Sequence, residues 1–327
     1  MKHIAARVQP EDCDSRNRGP MNRRVFLQTV AAGASAPRLV GQDMPSDVPD
    51  WGGPVLDVHL HGKGAGGEWA HMQGCGVSHA QLLTSATAEA HIKEEMAKHL
   101  GRFLYSVSVD PARADAIEVL RAAIKSGASG FGEMKSRVKA DGPEMKRIYE
   151  LATELGVPVT IHFADYGQTE TDTPYNEGIT RFEAVLKAYP KTKFVGHADS
   201  FWANISAEVP PTAYPTGPIQ PGGITEKLLA NYPNLYGDMS ANSCRNALAR
   251  DPEFIRGFLV RHQDKLMFGS ECSCRDGRGA GHASEQPLIK GKCVARETLG
   301  ALKVLASPAI FRKIAWQNGS KLFGFKI

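Results

Sequence analysis

The chain has 327 residues, 42% of them apolar and 23% charged, which excludes disorder as its main state and allows either two ordinary domains or one large α/β barrel. The formal charge of +4 is concentrated at the start: residues 1–36 hold six basic and three acidic side chains, leaving 33 basic against 32 acidic for the rest, so the body has no electrostatic bias toward nucleic acid or an anionic membrane. No apolar run approaches about 18 residues, and no period of roughly 20–50 residues recurs, which excludes a spanning helix, a solenoid and a propeller.

The first readable element is Arg23-Arg24-Val25-Phe26-Leu27, with a mild apolar run through Ala32 and a small-x-small site at Ala34-Ser35-Ala36. Charged head, short apolar stretch and cleavage site are the parts of a signal peptide. The paired arginines resemble a twin-arginine signal, with an ordinary secretory signal as the alternative. Met21, just before the motif, is a candidate alternative start. The reading is a signal over 1–36, a polar linker over 37–50 and one folded body over 51–327. It implies periplasmic or secreted localisation through the twin-arginine export machinery, with no stable membrane anchor.

From residue 54 onward, strand and helix alternate. Strands are predicted at Pro54–His61, Val77–Thr84, Phe103–Val109, Phe131–Lys135, Val157–His162, Phe194–His197, Leu235–Met239 and Leu266–Glu271, each a short β-branched or apolar run. Helices are predicted around 88–100, after Asp110-Pro111 (with Ala116, Ile117, Leu120 and Ile124 on one face), over 143–155 with Gly156 as its stop, and near 182–189. Further helices are predicted at 225–232, 252–262, 294–306 and 308–317. The segment Ser200–Gly223 holds five prolines and reads as a long loop or lid. No G-x-G-x-x-G follows the first strand, so an open dinucleotide-binding sheet lacks its signature. The expected fold is therefore α/β, a (β/α)8 TIM barrel.

In such a barrel the chemistry sits at the C-terminal strand ends, and those ends are where the ionisable residues fall. They are Asp57, His59 and His61 on the first strand, Glu133 or Lys135 on the fourth, His162 on the fifth, His197 on the sixth and Glu271 on the eighth. A period of two puts His59 and His61 on one side. Taken singly, each histidine reads as an ordinary hydrogen-bonded side chain, as do His71, His79, His91, His99 and His262. Jointly, unpaired ionisable groups at one barrel mouth would be costly to bury, and a divalent metal supplies the missing charge.

The stretches DVHLH (57–61), GFGEMK (130–135), VTIHFAD (159–165), KFVGHADS (193–200), LYGDMSA (235–241), LMFGSE (266–271) and QNGSKLFGF (317–325) resemble the amidohydrolase superfamily, in particular its amidohydrolase-2 type, over roughly residues 53–325. The resemblance implies that His59 and His61 ligate one divalent ion, zinc first and manganese second. It implies that His162 and His197 hold a second ion, or that one binds the single ion while the other polarises substrate. Glu133 would bridge, a carbamylated Lys135 being the alternative, and Glu271 would be ligand and general base. The family position on strand eight is normally Asp, so Glu271 is a departure that could misplace the base.

The implied activity is hydrolysis of an amide, ester or lactone carbonyl by a metal-activated water. A metal-dependent non-oxidative decarboxylase of an aromatic or enoic acid and a non-catalytic metal-binding barrel are the alternatives. A small-molecule substrate is the expected partner, with homo-oligomerisation left open. By position alone, Arg245 and Asn242 after strand seven are candidates to hold a substrate carboxylate, and Phe201, Trp202 and Tyr214 to cap it. Cys272, Cys274 and Cys293 are expected to be free thiols or to include one disulfide. A structural zinc site there would need a fourth ligand, formally His282.

Overall fold

The computed structural model describes residues 47–64, 66–165, 174–280 and 287–326. The expected signal (1–36), most of the expected linker, and His282 lie outside the described residues.

Eight parallel strands follow one another around a single sheet in the order β1 to β8: Leu56–His61, His79–Ser85, Phe103–Ser108, Gly130–Met134, Val159–His162, Phe194–His197, Leu235–Asp238 and Leu266–Met267. Every pair is parallel, as crossover helices require. The sheet closes on itself where the chain just past β8 meets β1: Val58 N donates to Phe268 O at 3.0 Å and Glu271 N donates to His59 O at 2.7 Å. The fold is the expected (β/α)8 barrel.

Around the barrel run α1 (Gly67–Cys75), α2 (Glu89–Lys98), α3 (Ala116–Lys125), α4 (Pro143–Leu155), α5 (Glu183–Ala188), α6 (Asp199–Ala203), α7 (Ile224–Asn231), α8 (Ala241–Arg250), α9 (Pro252–His262), α10 (Val294–Leu305), α11 (Pro308–Arg312) and α12 (Asn318–Phe323), a π turn joining the last two. Local sequence sets several ends. Pro143 and Pro252 open α4 and α9, where a missing N–H costs nothing, and Asp251 caps α9 by accepting from Phe254 N. Gly156 ends α4 in a left-handed conformation. None of the described helices is long and apolar enough to cross a membrane.

The structure departs from expectation at β8, α1, α6 and α8, the last a helix over Ala241–Arg250 where none was expected. β8 pairs over two residues rather than six. Past Met267 the chain leaves the ladder and is held by isolated bonds: Phe268 N donates to Ile314 O, and Ser270 N and Oγ donate to the Asp57 carboxylate. α1 was not foreseen, because GEWAHMQGC has no apolar stripe of helical period. The segment Ser200–Gly223 is not loop throughout, since its start forms α6.

That short helix is packed tightly under β6. Phe201 is fully buried, and a β-carbon at Gly196 would stand 2.1 Å from its ring. Gly196→Ala is therefore expected to destabilise the protein by about 1–3 kcal/mol through overpacking. The check is a lower denaturant midpoint at unchanged m-value, and an unaltered midpoint would contradict this packing.

Candidate metal centre

β1 contributes alternate residues to one side, from the interior outward. Asp57 and His59 are buried, while the His61 side chain at the mouth is about half exposed. The Asp57 carboxylate accepts from His59 N and from Ser270, tying the first strand to the residue before Glu271. Burial pushes this carboxyl above the usual range, and the bonds from Ser270 and His59 oppose that rise.

Four donor atoms, one each from His59, Glu133, His197 and Glu271, lie within 4.8 Å of one another. Glu133 Oε2 is 3.8 Å from His59 Nε2 and 3.4 Å from His61 Nε2, while its Oε1 is 3.3 Å from His197 Nε2 and accepts from His162 Nδ1. Glu271 Oε2 is 3.1 Å from His197 Nε2, and Oε1 is 3.9 Å from His61 Nε2. A tetrahedral ion with bonds of about 2.0–2.2 Å holds its donors about 3.3–3.6 Å apart, and the separations within this group, 3.1 to 3.8 Å, bracket that spacing. The longer side chain of Glu271 is accommodated by its backbone, which turns through a left-handed φ of 47° just past β8.

The tautomers also suit a cation. His59 Nδ1 donates to Asp238 Oδ2 at 2.6 Å, because a carboxylate can only accept, so the neutral ring presents a lone pair at Nε2. That lone pair faces His61 Nε2 at 3.3 Å. His197 Nδ1 is engaged by Ser240 Oγ at 2.8 Å, and its buried Nε2 faces Glu271 Oε2 and Glu133 Oε1 at 3.1 and 3.3 Å. An imidazole fixed through one nitrogen, with the other aimed into a group of carboxylates, is the arrangement that metal-binding histidines use. The residues fit a divalent ion.

Without an ion, the group is strongly coupled. Burial opposes charge on His197, but the carboxylates of Glu271, Glu133 and Asp238 outweigh it and hold this imidazole well above the usual range. Burial would raise Glu133, yet contacts from His162, His197 and His61 hold it well below the usual carboxylate range. Glu271 is likewise drawn down, to about 2, by His197 against the effect of burial. Burial pushes the His162 imidazole down despite its bond to Glu133.

Reasoning from sequence missed Asp238, at the end of β7 inside the quoted LYGDMSA. Its only signal was being a carboxylate at a strand end. Three candidates fall elsewhere. Trp202 is buried on α6, its Nε1 donating to Asp238 O at 3.0 Å, so it packs beneath the centre instead of capping a substrate. Phe201 is core too. Arg245, on α8, has Nη2 3.9 Å from Glu297 Oε2 and lines a different cleft with Leu248, Arg296 and Gly300. The Tyr214 hydroxyl is bonded to Asn242 and is raised to about 12 by burial and then by the charge of Asp199. Lys135 is no bridging ligand here, since its Nζ sits 5.4 Å from the centroid of the Tyr175 ring.

The back of the centre has no slack. A β-carbon at Gly269 would stand 2.4 Å from Asp238 Oδ1 and 2.9 Å from both His59 Cβ and Ser240 Cβ. In front, two adjoining clefts of about 440 and 370 Å³ share Ser85, Ser108, Glu133 and Lys135. The first is also lined by Arg137 and Tyr175, the second by His61 and His91.

The family model for amidohydrolases matches residues 70–325, beginning just after His59 and His61. No curated protein matches the sequence. Among solved structures, the fold is similar to Agrobacterium tumefaciens ATU3138 (TM-score 0.53, 16% identity, 86% of this chain and 98% of that one). It is also similar to an uncharacterised TIM-barrel protein of Bordetella bronchiseptica (TM-score 0.56, 14% identity, 83% and 99%). A third is a probable 2-pyrone-4,6-dicarboxylic acid hydrolase of Acinetobacter baumannii with citric acid bound (TM-score 0.53, 14% identity, 84% and 100%).

Asp238→Asn is expected to lower metal affinity about 10–100-fold with the fold retained, as loss of an outer partner of a ligating imidazole does. His59→Ala should lower metal content further, and unchanged occupancy in both variants would count against the centre. The sign of the pH dependence follows from the shifts. In the metal-free protein, the raised His197 contributes stability below the ordinary histidine range that is lost as pH rises through its folded value. Glu133 and Glu271 contribute stability above the ordinary carboxylate range that is lost as pH falls through theirs, about 2 for Glu271. Loading must displace the proton on His197, so affinity should weaken on acidification and uptake should release acid. Titration calorimetry in buffers of different ionisation enthalpy reads both.

Proposed function

We propose that this chain, which belongs to the amidohydrolase family, is a metal-dependent hydrolase of a small lactone, ester or amide that carries a carboxylate. One observation carries the reading: His59, Glu133, His197 and Glu271 bring four donor atoms together, and Glu133 of that group also lines a cleft whose wall presents two cations. Lys135 and Arg137 lie over the Tyr175 ring at 5.4 and 5.1 Å from its centroid and line the same cleft as Glu133. They replace Arg245 as the groups to hold a substrate carboxylate.

His59, Glu133, His197 and Glu271 would hold the ion, zinc by the nitrogen and oxygen donor set, with manganese as the alternative. His61 and His162, in contact with Glu133, are the residues available to a second ion. Bound there, a divalent ion supplies a Lewis acid for the carbonyl oxygen and lowers the pKa of water to about 7. Glu271, ionised at neutral pH and partly exposed, accepts the proton of the attacking water. It returns that proton to the leaving oxygen or nitrogen as the acyl C–O or C–N bond breaks. Asp238 keeps His59 in one tautomer and orientation throughout.

The test is a substrate panel on protein purified without chelator. Carboxylated lactones come first, a class to which the Acinetobacter baumannii neighbour's name also points, then amides, then aromatic acids. Acid release from a carboxylated lactone is the expected result. Lys135→Met with Arg137→Met should raise KM for carboxylated substrates about 10-fold or more, while neutral esters change little. Carbon dioxide release from an aromatic acid would instead establish a decarboxylase. Full metal occupancy with no turnover, even in Glu271→Asp, would establish a binding barrel. Export through the twin-arginine machinery is part of the same proposal. Arg23→Lys combined with Arg24→Lys should retain the protein in the cytoplasm, and unaltered export by fractionation would refute it.

A further inference from the structure

Next to the His/Glu centre, the structure gathers a second set of donors of different chemistry. Cys272 and Cys274 follow Glu271 on the chain leaving β8, Cys293 stands at the start of α10, and His71 lies on α1. One donor atom from each lies within 4.8 Å of all the others, and all four residues are buried. Cys272 Sγ is 3.3 Å from Cys274 Sγ and 3.8 Å from Cys293 Sγ, and Cys274 Sγ is 3.4 Å from His71 Nδ1. These sulfurs are not bonded to one another, since a disulfide requires about 2.05 Å, and the five cysteines among the described residues are free thiols.

We propose that His71, Cys272, Cys274 and Cys293 form a structural zinc site, distinct from the His/Glu centre. A tetrahedral ion with Zn–S bonds of about 2.3 Å and a Zn–N bond of about 2.0–2.1 Å sets its donors about 3.5–3.8 Å apart, close to the observed separations. Three thiols and one imidazole, closed off from solvent, make the Cys3His set of structural zinc sites and leave no open coordination position. Mutual closeness within 4.8 Å suits one ion rather than an iron–sulfur cluster, whose thiolates spread around several metals. On binding, each thiol gives up its proton and all four donors share the single divalent ion, so three protons leave per zinc taken up. The other ring nitrogen of His71 faces Cys75 Sγ at 3.7 Å, which leaves Nδ1 for the ion.

The backbone is shaped around this set. A β-carbon at Gly74 would stand 1.7 Å from Asp276 O, and one at Gly277 would stand 2.2 Å from His71 O, so α1 and the loop after β8 touch backbone to backbone beside the thiols. Arg296 Nη2 donates to Gly74 O from α10, and Lys63 Nζ donates to Cys272 O. An ion here would cross-link α1 to the loop after β8 and the start of α10, about 200 residues further along the chain, and fix the peptide that carries Glu271.

The test uses the full-length protein purified without chelator. X-ray absorption at the zinc edge should show sulfur scatterers at about 2.3 Å. Those scatterers should persist in His59→Ala, which weakens only the His/Glu centre, so failure of that centre and failure of this site read differently. Cys274→Ser with Cys293→Ser should lose the sulfur shell and about one zinc per chain. Should that variant not fold, the wild-type spectrum decides alone. The absence of sulfur around any bound metal in wild-type protein supplied with excess zinc would overturn the proposal. So would a native disulfide between two of the three cysteines found by peptide mass mapping.

Discussion

The hydrogen bonds that close the barrel between its first and last strands are the constraint on which the rest depends. Glu271 N donates to His59 O, and the Asp57 carboxylate accepts both Ser270 N and Ser270 Oγ. A buried carboxylate is tolerated only when its oxygens are satisfied, and here that requirement seats residue 270 against residue 57. The neighbours of that contact are His59 and Glu271. Satisfying one buried acid thus brings a histidine and a carboxylate separated by more than 200 positions into one group.

Electrostatics then favours filling the group. Glu133, Glu271 and Asp238 surround His59 and His197, and the carboxylates hold a proton on His197 against its burial. A proton on one nitrogen neutralises only part of that charge. A divalent ion answers both carboxylates of the inner group and leaves Asp238 to orient the ring of His59. The strained left-handed backbone of Ala198, Ala241 and Glu271, each at or just past the end of β6, β7 or β8, lies on the same rim. Such conformations cost of order 1–3 kcal/mol each and cluster where a site fixes its own geometry.

The barrel was legible because its strands are short β-branched runs that end in ionisable residues, and a period of two set His59 and His61 on one side. Strand eight was read too long because LMFGSE is apolar enough to continue. What stopped it was Asp57, whose bonds to Ser270 no local pattern reveals. The helix GEWAHMQGC has no apolar stripe to reveal it, and its Gly74 serves close contact with Asp276. Trp202 looked like a lid residue from its place after β6. It is core because Gly196 and Gly237 carry no side chain and let Phe201 and its neighbours press against the sheet. His71 read as an ordinary histidine, its thiol partners lying about 200 residues away. The cation pair of the cleft was half seen: Lys135 was weighed only as a ligand, and Arg137 not at all.

Gly269 has a consequence for how this protein can diverge. With Asp238, His59 and Ser240 all crowding the space a side chain there would need, the rear wall of the centre cannot be remodelled one atom at a time. Any drift in what the protein accepts must therefore be written on the opposite bank, in Ser85, Ser108, Lys135, Arg137 and Tyr175, where the chain borders open space. The two sides of the donor group are thus unequally free to change, one crowded by side chains and the other bordering open clefts.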